Sequence, residues 1–427
     1  MESILIKGGR VVDPANGVDT ESDVLIEAGR IARLGRGLDA PSGSRTIDAA
    51  GCVVAPGLID MHVHFREPGS EHVETIPSGS RAAVAGGFTT VCAMPNTDPC
   101  VDNEGAVTFV IRRSKAAALA HVLPIGAITV GRQGEQMAEM GQMVRAGAVA
   151  FSDDGSSVAD SGLLRRCMTY GKIFGKPFIS HAEDKSLAGT GVMHAGKVSA
   201  WLGLPGIAAA AEEVIVERDI RLASMSGAKL HIAHTSTAGS VEIIRRAKAA
   251  GVAVTAEVTP HHLALTDECC RGFDSKFKMS PPLRTAADIA ALKQGLKDGT
   301  IDCIASDHAP HEQEEKEVEF AFAPFGVIGL ESTVPVVIRE LIDTGVLTWP
   351  ELIAAMSLKP ARVLGLDRGT LAVGAVADVT VIDPGLAWTI DAARFESKSR
   401  NCPFDGWQVR GRAVATIVAG QVKYRLG

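Results

Sequence analysis

An alternation constrains this chain most. Eight short apolar runs recur along it: Leu58–His64, Phe88–Met94, His121–Thr129, Ala148–Asp153, Pro177–His181, Lys229–His234, Val252–Val258 and Ile301–Ser306. Between them lie Ala-, Leu- and charge-rich stretches such as NEGAVTFVIRRSKAAALA and SVEIIRRAKAAG, with Gly near their C-terminal ends, where helices stop. Strand–helix alternation predicts βαβ units and a parallel sheet. Eight such units over about 300 residues predict an α/β fold of the (β/α)8 TIM type. A doubly wound sheet is the competing arrangement, but no G-x-G-x-x-G or Walker A loop follows any run.

The two ends read differently. SILIKGGRVVD, SDVLIEAGRIARLG and RTIDAAGCVVAP near the start, and AVGAVADVTVIDP and VRGRAVATIVAGQVKYRLG near the end, carry β-branched residues broken by Gly- and Asp-containing turns. We therefore expect residues 1–55 and 365–427 to form one small discontinuous β domain, and residues 56–364 the barrel. The N-terminus lacks the charge and apolar pattern of a signal peptide, and no run is long enough to span a membrane. The eight cysteines form no C-x-x-C pair, which predicts reduced thiols and a cytoplasmic setting. A net charge of −7 and an aromatic content of 4% argue against nucleic-acid binding, which needs basic surface and stacking platforms.

Active sites of such barrels lie at the C-terminal ends of the strands. Five of the eight runs end there in a side chain able to hold a metal. The first carries His62 and His64, and alternate residues of a strand face one side, so both imidazoles aim at one point. The fourth ends in Asp153 and Asp154, the fifth in His181, the sixth in His234 and the eighth in Asp307. Any one of these alone reads more simply as a structural histidine or a turn aspartate. Their coincidence at one pole points to a metal. Nitrogen and carboxylate donors without thiolate favour Zn²⁺, with Mn²⁺ or Co²⁺ as alternatives.

Two stretches carry more than a pattern. APGLIDMHVHFREPG (55–69) resembles the first-strand signature of the amidohydrolase superfamily in its dihydroorotase form. ASDHAPH (305–311) resembles the eighth-strand signature of the same family, and MPNT (94–97) and KMSPPLR (278–284) also match it. The chain is similar to bacterial-type dihydroorotases. That resemblance implies zinc-dependent, reversible cyclisation of N-carbamoyl-L-aspartate to L-dihydroorotate in pyrimidine biosynthesis. It implies His62, His64, Asp154, His181, His234 and Asp307 as ligands to one or two Zn²⁺ ions. Many amidohydrolases place a carboxylated lysine at the end of strand four; this chain has none there, and motif position gives the place to Asp154 rather than Asp153.

The implied chemistry follows from charge. A zinc-bound water has a pKa near 7, so hydroxide is available to attack the ring amide carbonyl. The resemblance makes Asp307 the proton shuttle. It assigns His64, Arg66, Asn96, Ser280, His311, Phe325 and Gly326 to the substrate, with Arg66 suited to a two-bond grip on a carboxylate. Many relatives carry Asn where this chain has Ser280, which puts that contact in question. The charged stretch from His311 to Glu319 reads as a solvated loop beside the site, suited to a mobile cover. Expected partners are the small-molecule substrate and further copies of the chain, with aspartate carbamoyltransferase as a possible complex. Two other readings compete: a dihydropyrimidinase- or allantoinase-like cyclic amidohydrolase, and a catalytically silent scaffold for aspartate carbamoyltransferase.

Overall fold

The computed structural model describes residues 3–427. It begins with five strands: β1 (Ile4–Asp13), β2 (Val18–Glu27), β3 (Arg30–Gly35), β4 (Arg45–Asp48) and β5 (Val53–Pro56). Each of the eight apolar runs then supplies a strand. The first five are β6 (Leu58–Val63), β7 (Phe88–Ala93), β8 (His121–Pro124), β9 (Phe151–Ser152) and β10 (Phe178–Ser180). A small excursion follows, in which β11 (Met193–His194) pairs with β12 (Gly206–Ile207). The series resumes with β13 (Leu230–Ile232), β14 (Val254–Val258) and β15 (Cys303–Ile304). Three more strands close the chain: β16 (Val379–Thr389), β17 (Gln408–Val418) and β18 (Gln421–Arg425).

The eight strands pair in parallel as two arcs, β6-β7-β8 and β9-β10-β13-β14-β15. Parallel bridges from Gly126 to Phe151 and from Val63 to His308 join the arcs into a closed (β/α)8 barrel. Side chains alternate as a pleat requires. Met61, Cys92, Ile125, Ile179 and Cys303 fill the interior, while Leu58, Phe88, Phe151, Phe178, Leu230 and Val254 pack outward among the helices. Each large outward side chain that is fully buried contributes about 1.5–3 kcal/mol.

The helices start where the sequence says they should. Asn103 caps Glu104–Ala117 by accepting from the Ala106 amide at 3.1 Å, and Asp160 caps Ser161–Gly171. Thr285 and Asp288 form a reciprocal cap on Ala286–Asp298, which ends at Gly299 with φ +80°. Each such cap is worth about 1 kcal/mol. Among the described residues no helix is long and apolar enough to cross a membrane. All eight cysteines are unpaired.

Both chain ends meet in one mixed sheet of order β18-β17-β16-β5-β1-β2-β3, with β4 on β1. The joint is β5, which runs parallel to β1 and antiparallel to β16. Ile6, Val24, Ile26, Ile47, Val379, Val381 and Ile417 give this sheet an apolar cluster apart from that of the barrel. Only Gly57 separates β5 from β6, and a Cβ at that position would overlap Thr89.

One expectation is corrected. The stretch from His311 to Glu319 is not a wholly solvated loop: it contains a helical turn, Gln313–Lys316, and Lys316 is only 6% exposed. Its long side chain turns inward, because several backbone carbonyls converge beneath it.

Candidate metal centre and active site

Every ligand candidate emerges at the C-terminal pole of the barrel. His62 and His64 flank the end of β6, and their ring centroids are 5.3 Å apart. Asp154, His181, His234 and Asp307 follow β9, β10, β13 and β15 within three residues. His234 (φ +29°) and Asp307 (φ +49°) turn out of their strands through the left-handed region. Such backbone costs about 1–3 kcal/mol per residue and persists where packing over-determines it. Here Asp60 supplies part of that support: its buried carboxylate accepts from the His62 amide at 3.0 Å and the Ser306 amide at 3.1 Å, lacing the first strand to the eighth.

The side chains form two three-membered groups that share Asp154. One is His62, His64 and Asp154; the other is Asp154, His181 and His234. Asp154 Oδ1 lies 3.2 Å from His62 Nε2 and 3.6 Å from His181 Nδ1, and Asp154 Oδ2 lies 3.6 Å from His64 Nε2. Asp307 Oδ1 is 3.2 Å from His64 Nε2 and 3.4 Å from His62 Nε2. Donors held about 2.0–2.1 Å from a tetrahedral ion are spaced roughly 3.3 Å apart, so this constellation fits one.

Unspent polar atoms point the same way. His62 Nε2 and Asp154 Oδ1 are buried and make no hydrogen bond, and His234 meets His181 Nδ1 through its Nε2 at 2.9 Å. Buried polar atoms are normally satisfied, and two orphans 3.2 Å apart are what a metal ion would satisfy. Burial alone would raise the carboxyl pKa values of Asp154 and Asp307. The imidazoles beside them outweigh it, and both carboxyls are held well below the usual range. Both carboxyls are thus ionised at neutral pH, the form in which a carboxylate binds a metal. Asp153 is not part of it, because its carboxylate turns away to the amides of Ile128 (2.8 Å) and Thr129 (3.1 Å) and to the Thr129 hydroxyl.

Two residues that sequence reasoning missed fix the tautomer of a ligand candidate. The carboxylate of Glu257 can only accept, so at 2.8 Å it takes the Nδ1 proton of His62 and leaves Nε2 free for a metal. Its other oxygen lies 3.1 Å from His231 Nε2, and His231 Nδ1 meets the Thr255 hydroxyl at 2.8 Å. Burial works against the Glu257 carboxylate, but His231 and His62 outweigh it and hold its pKa at about 2. A glutamate inside the apolar strand VTAEV was the available signal. His64 is oriented likewise, with Nδ1 2.9 Å from Asn96 Oδ1. Replacing Glu257 by Leu is expected to weaken metal binding about 10–100-fold, read by competition with a chromophoric chelator; unchanged affinity would show that His62 needs no such partner.

The centre opens into a cavity of about 360 Å³. Arg66, Asn96, Ser280, His311, Phe325 and Gly326 all line it, together with His64, Asp154, His181, His234 and Asp307; His62 lies beneath. Arg66 Nε donates to the Pro310 carbonyl at 3.1 Å, which braces the guanidinium against the wall. Asn96 is engaged by His64, and its Nδ2 lies 3.4 Å from Asp154 Oδ2. His311 Nε2 donates to the Phe325 carbonyl at 2.8 Å. The Ser280 hydroxyl faces Glu183, a cavity-lining carboxylate also missed from sequence, at 3.4 Å. Gly326 has φ +129°, and a Cβ there would sit 2.8 Å from Ala309 Cβ and 3.0 Å from His311 Nε2, so no larger residue fits.

Known proteins resemble this chain along its whole length. The dihydro-orotase-like family model matches residues 51–240, and an amidohydrolase family model matches residues 209–424. A dihydroorotase of Geobacter sp. (strain M21) is 55% identical over 425 residues, covering 100% of both chains. One from Pelotomaculum thermopropionicum is 56% identical, covering 98% of both. Among solved structures, the L-hydantoinase (dihydropyrimidinase) of Arthrobacter aurescens superposes with a TM-score of 0.87 at 28% identity, covering 100% of this chain and 97% of its own. The chain therefore belongs to the dihydroorotase family of amidohydrolases.

Proposed function

We propose that the chain is a zinc-dependent dihydroorotase, which interconverts N-carbamoyl-L-aspartate and L-dihydroorotate with loss or gain of water. The observation that carries this is the pair of ligand groups sharing Asp154 at the floor of a cavity walled by Arg66. His62, His64, Asp154, His181, His234 and Asp307 would hold one or two Zn²⁺ ions. When bound, zinc supplies Lewis-acid polarisation of a carbonyl and acidifies water.

The chain's own residues do the rest. Arg66 offers a planar fork to the substrate carboxylate. Phe325 and Gly326 form the wall against which the ring lies. Asp307 takes the proton of the attacking water and delivers it to the departing amide nitrogen; in the cyclisation direction it removes the ureido proton. This role is supported by the Asp307 carboxylate, which reaches the His62–His64 pair and also borders the cavity.

Residues 1–55 with 365–427 are read as the small β domain and 56–364 as the barrel, supported by the sheet in which both ends meet. A cytoplasmic setting, self-association, and a complex with aspartate carbamoyltransferase belong to the same proposal. The test is metal analysis of the purified chain beside hydrolysis assays on dihydroorotate, dihydrouracil, hydantoin and allantoin. Metal with turnover of dihydroorotate alone is expected. Turnover of another ring without dihydroorotate would move the chain to a different cyclic amidohydrolase, and no activity after zinc addition would favour a scaffold.

A further inference from the structure

The lysine of the KMSPPLR stretch and the lysine of the acidic segment have no part in the chemistry above, yet both are buried. Lys278 is 2% exposed and Lys316 6%. Neither has a carboxylate within ion-pair distance among the described residues. Taking an ammonium out of water without a counter-charge is costly. Burial lowers the pKa of Lys278 to about 8, and burial together with the charge of Lys278 lowers that of Lys316 to about 7.

What they meet instead is backbone. Lys316 Nζ donates to the carbonyls of Pro324 (2.9 Å), Gly326 (3.0 Å) and Lys278 (3.3 Å). Lys278 Nζ donates to those of Phe320 (2.8 Å) and Ala321 (3.0 Å) and lies 4.7 Å from the centroid of the Phe325 ring. The segment from Phe320 to Gly326 belongs to no sheet and no long helix, so its carbonyls have no ladder to join. An ammonium has three donors and can gather carbonyls that regular structure cannot. Gly326 is also tied by its amide to the Lys278 carbonyl at 3.0 Å and through its own carbonyl to Asn401 Nδ2 at 3.1 Å. The Phe325 carbonyl, fixed by this arrangement, receives the proton of His311 Nε2.

We propose that Lys278 and Lys316 are positioning residues for the cyclic substrate: their ammonium groups fold the Phe320–Gly326 segment into the wall that Phe325, Gly326 and His311 present to the cavity. The substrate's identity in this proposal rests on the dihydroorotase reading; the assembly of the wall does not. Neither lysine touches reacting atoms, so their loss acts on binding rather than on the chemical step.

The test is Lys316→Met and Lys278→Met in the full chain. KM for dihydroorotate is expected to rise about tenfold or more while kcat changes less than about threefold. Without substrate, hydrogen exchange at the Gly326 and Ala323 amides is expected to quicken about tenfold, with β14 unchanged. Wild-type KM and wild-type exchange would overturn the proposal. Quickened exchange in a chain whose wild type never turns over dihydroorotate would leave the wall intact as a finding and sink the function reading instead. Should either variant fail to fold, amine labelling of the wild type decides. Both lysines should react about tenfold more slowly than exposed Lys297, and more slowly again with dihydroorotate bound; reaction at the Lys297 rate in both states would overturn the proposal.

Discussion

Replacing Asp307 by Asn is expected to slow dihydroorotate turnover by about 10²–10⁴-fold, the usual worth of a positioned proton carrier. Asn keeps the size of the side chain and tolerates the left-handed backbone that Asp307 adopts at φ +49°. It loses the capacity to take a proton from water and hand it to the amide nitrogen. Its remaining oxygen can still approach His64 and His62, from which Asp307 Oδ1 is 3.2 and 3.4 Å. The fold and most of the bound metal should therefore survive, so the loss would be in kcat. Steady-state kinetics beside metal analysis checks this. Retention of more than about a tenth of wild-type kcat, well outside that range, would remove Asp307 from proton transfer.

The second large effect is at Asp154. Asp154→Asn removes the only carboxylate common to both ligand groups. Its charge also compensates the buried imidazoles of His62, His64 and His181. Removing one partner of a buried charge pair costs about 3–5 kcal/mol. Metal content should fall sharply, and with it a Lewis-acid contribution of several kcal/mol, roughly three decades of rate or more. Inductively coupled plasma analysis, thermal unfolding and the hydrolysis assay read the three consequences separately. A variant that kept its full metal complement and activity would show that the shared position is not a ligand.

Much of this was legible beforehand because it is local in the sequence. The eight runs announced the eight strands, and strand-end His and Asp residues announced the pole where they gather. The strands proper are shorter than the runs: β9 keeps only Phe151–Ser152 of Ala148–Asp153, with Ala148–Ala150 outside it at one end and Asp153 at the other. The choice between Asp153 and Asp154 needed the Ile128 and Thr129 amides, which the chain order does not place beside them. His231 lies three residues before His234 and outside every motif quoted above. Its partner is Glu257 on the neighbouring strand, a pairing that only barrel register brings about. Lys316 was hidden by its neighbours: four glutamates between positions 312 and 317 read as solvent-facing, and nothing in that run signals one inward ammonium.

The sheet that unites both ends also sets a clock on biosynthesis. β5 leaves the ribosome early, already able to pair with β1, but its other edge waits for β16, which begins at Val379. At about 5–20 residues per second that wait is roughly 15–65 s. All four residues of β5 are buried in the finished protein and apolar, so for that interval the nascent chain carries an open, sticky strand edge that only β16 can cover. Barrel closure and edge closure are thus separate events in the life of the chain, with the second gated by translation.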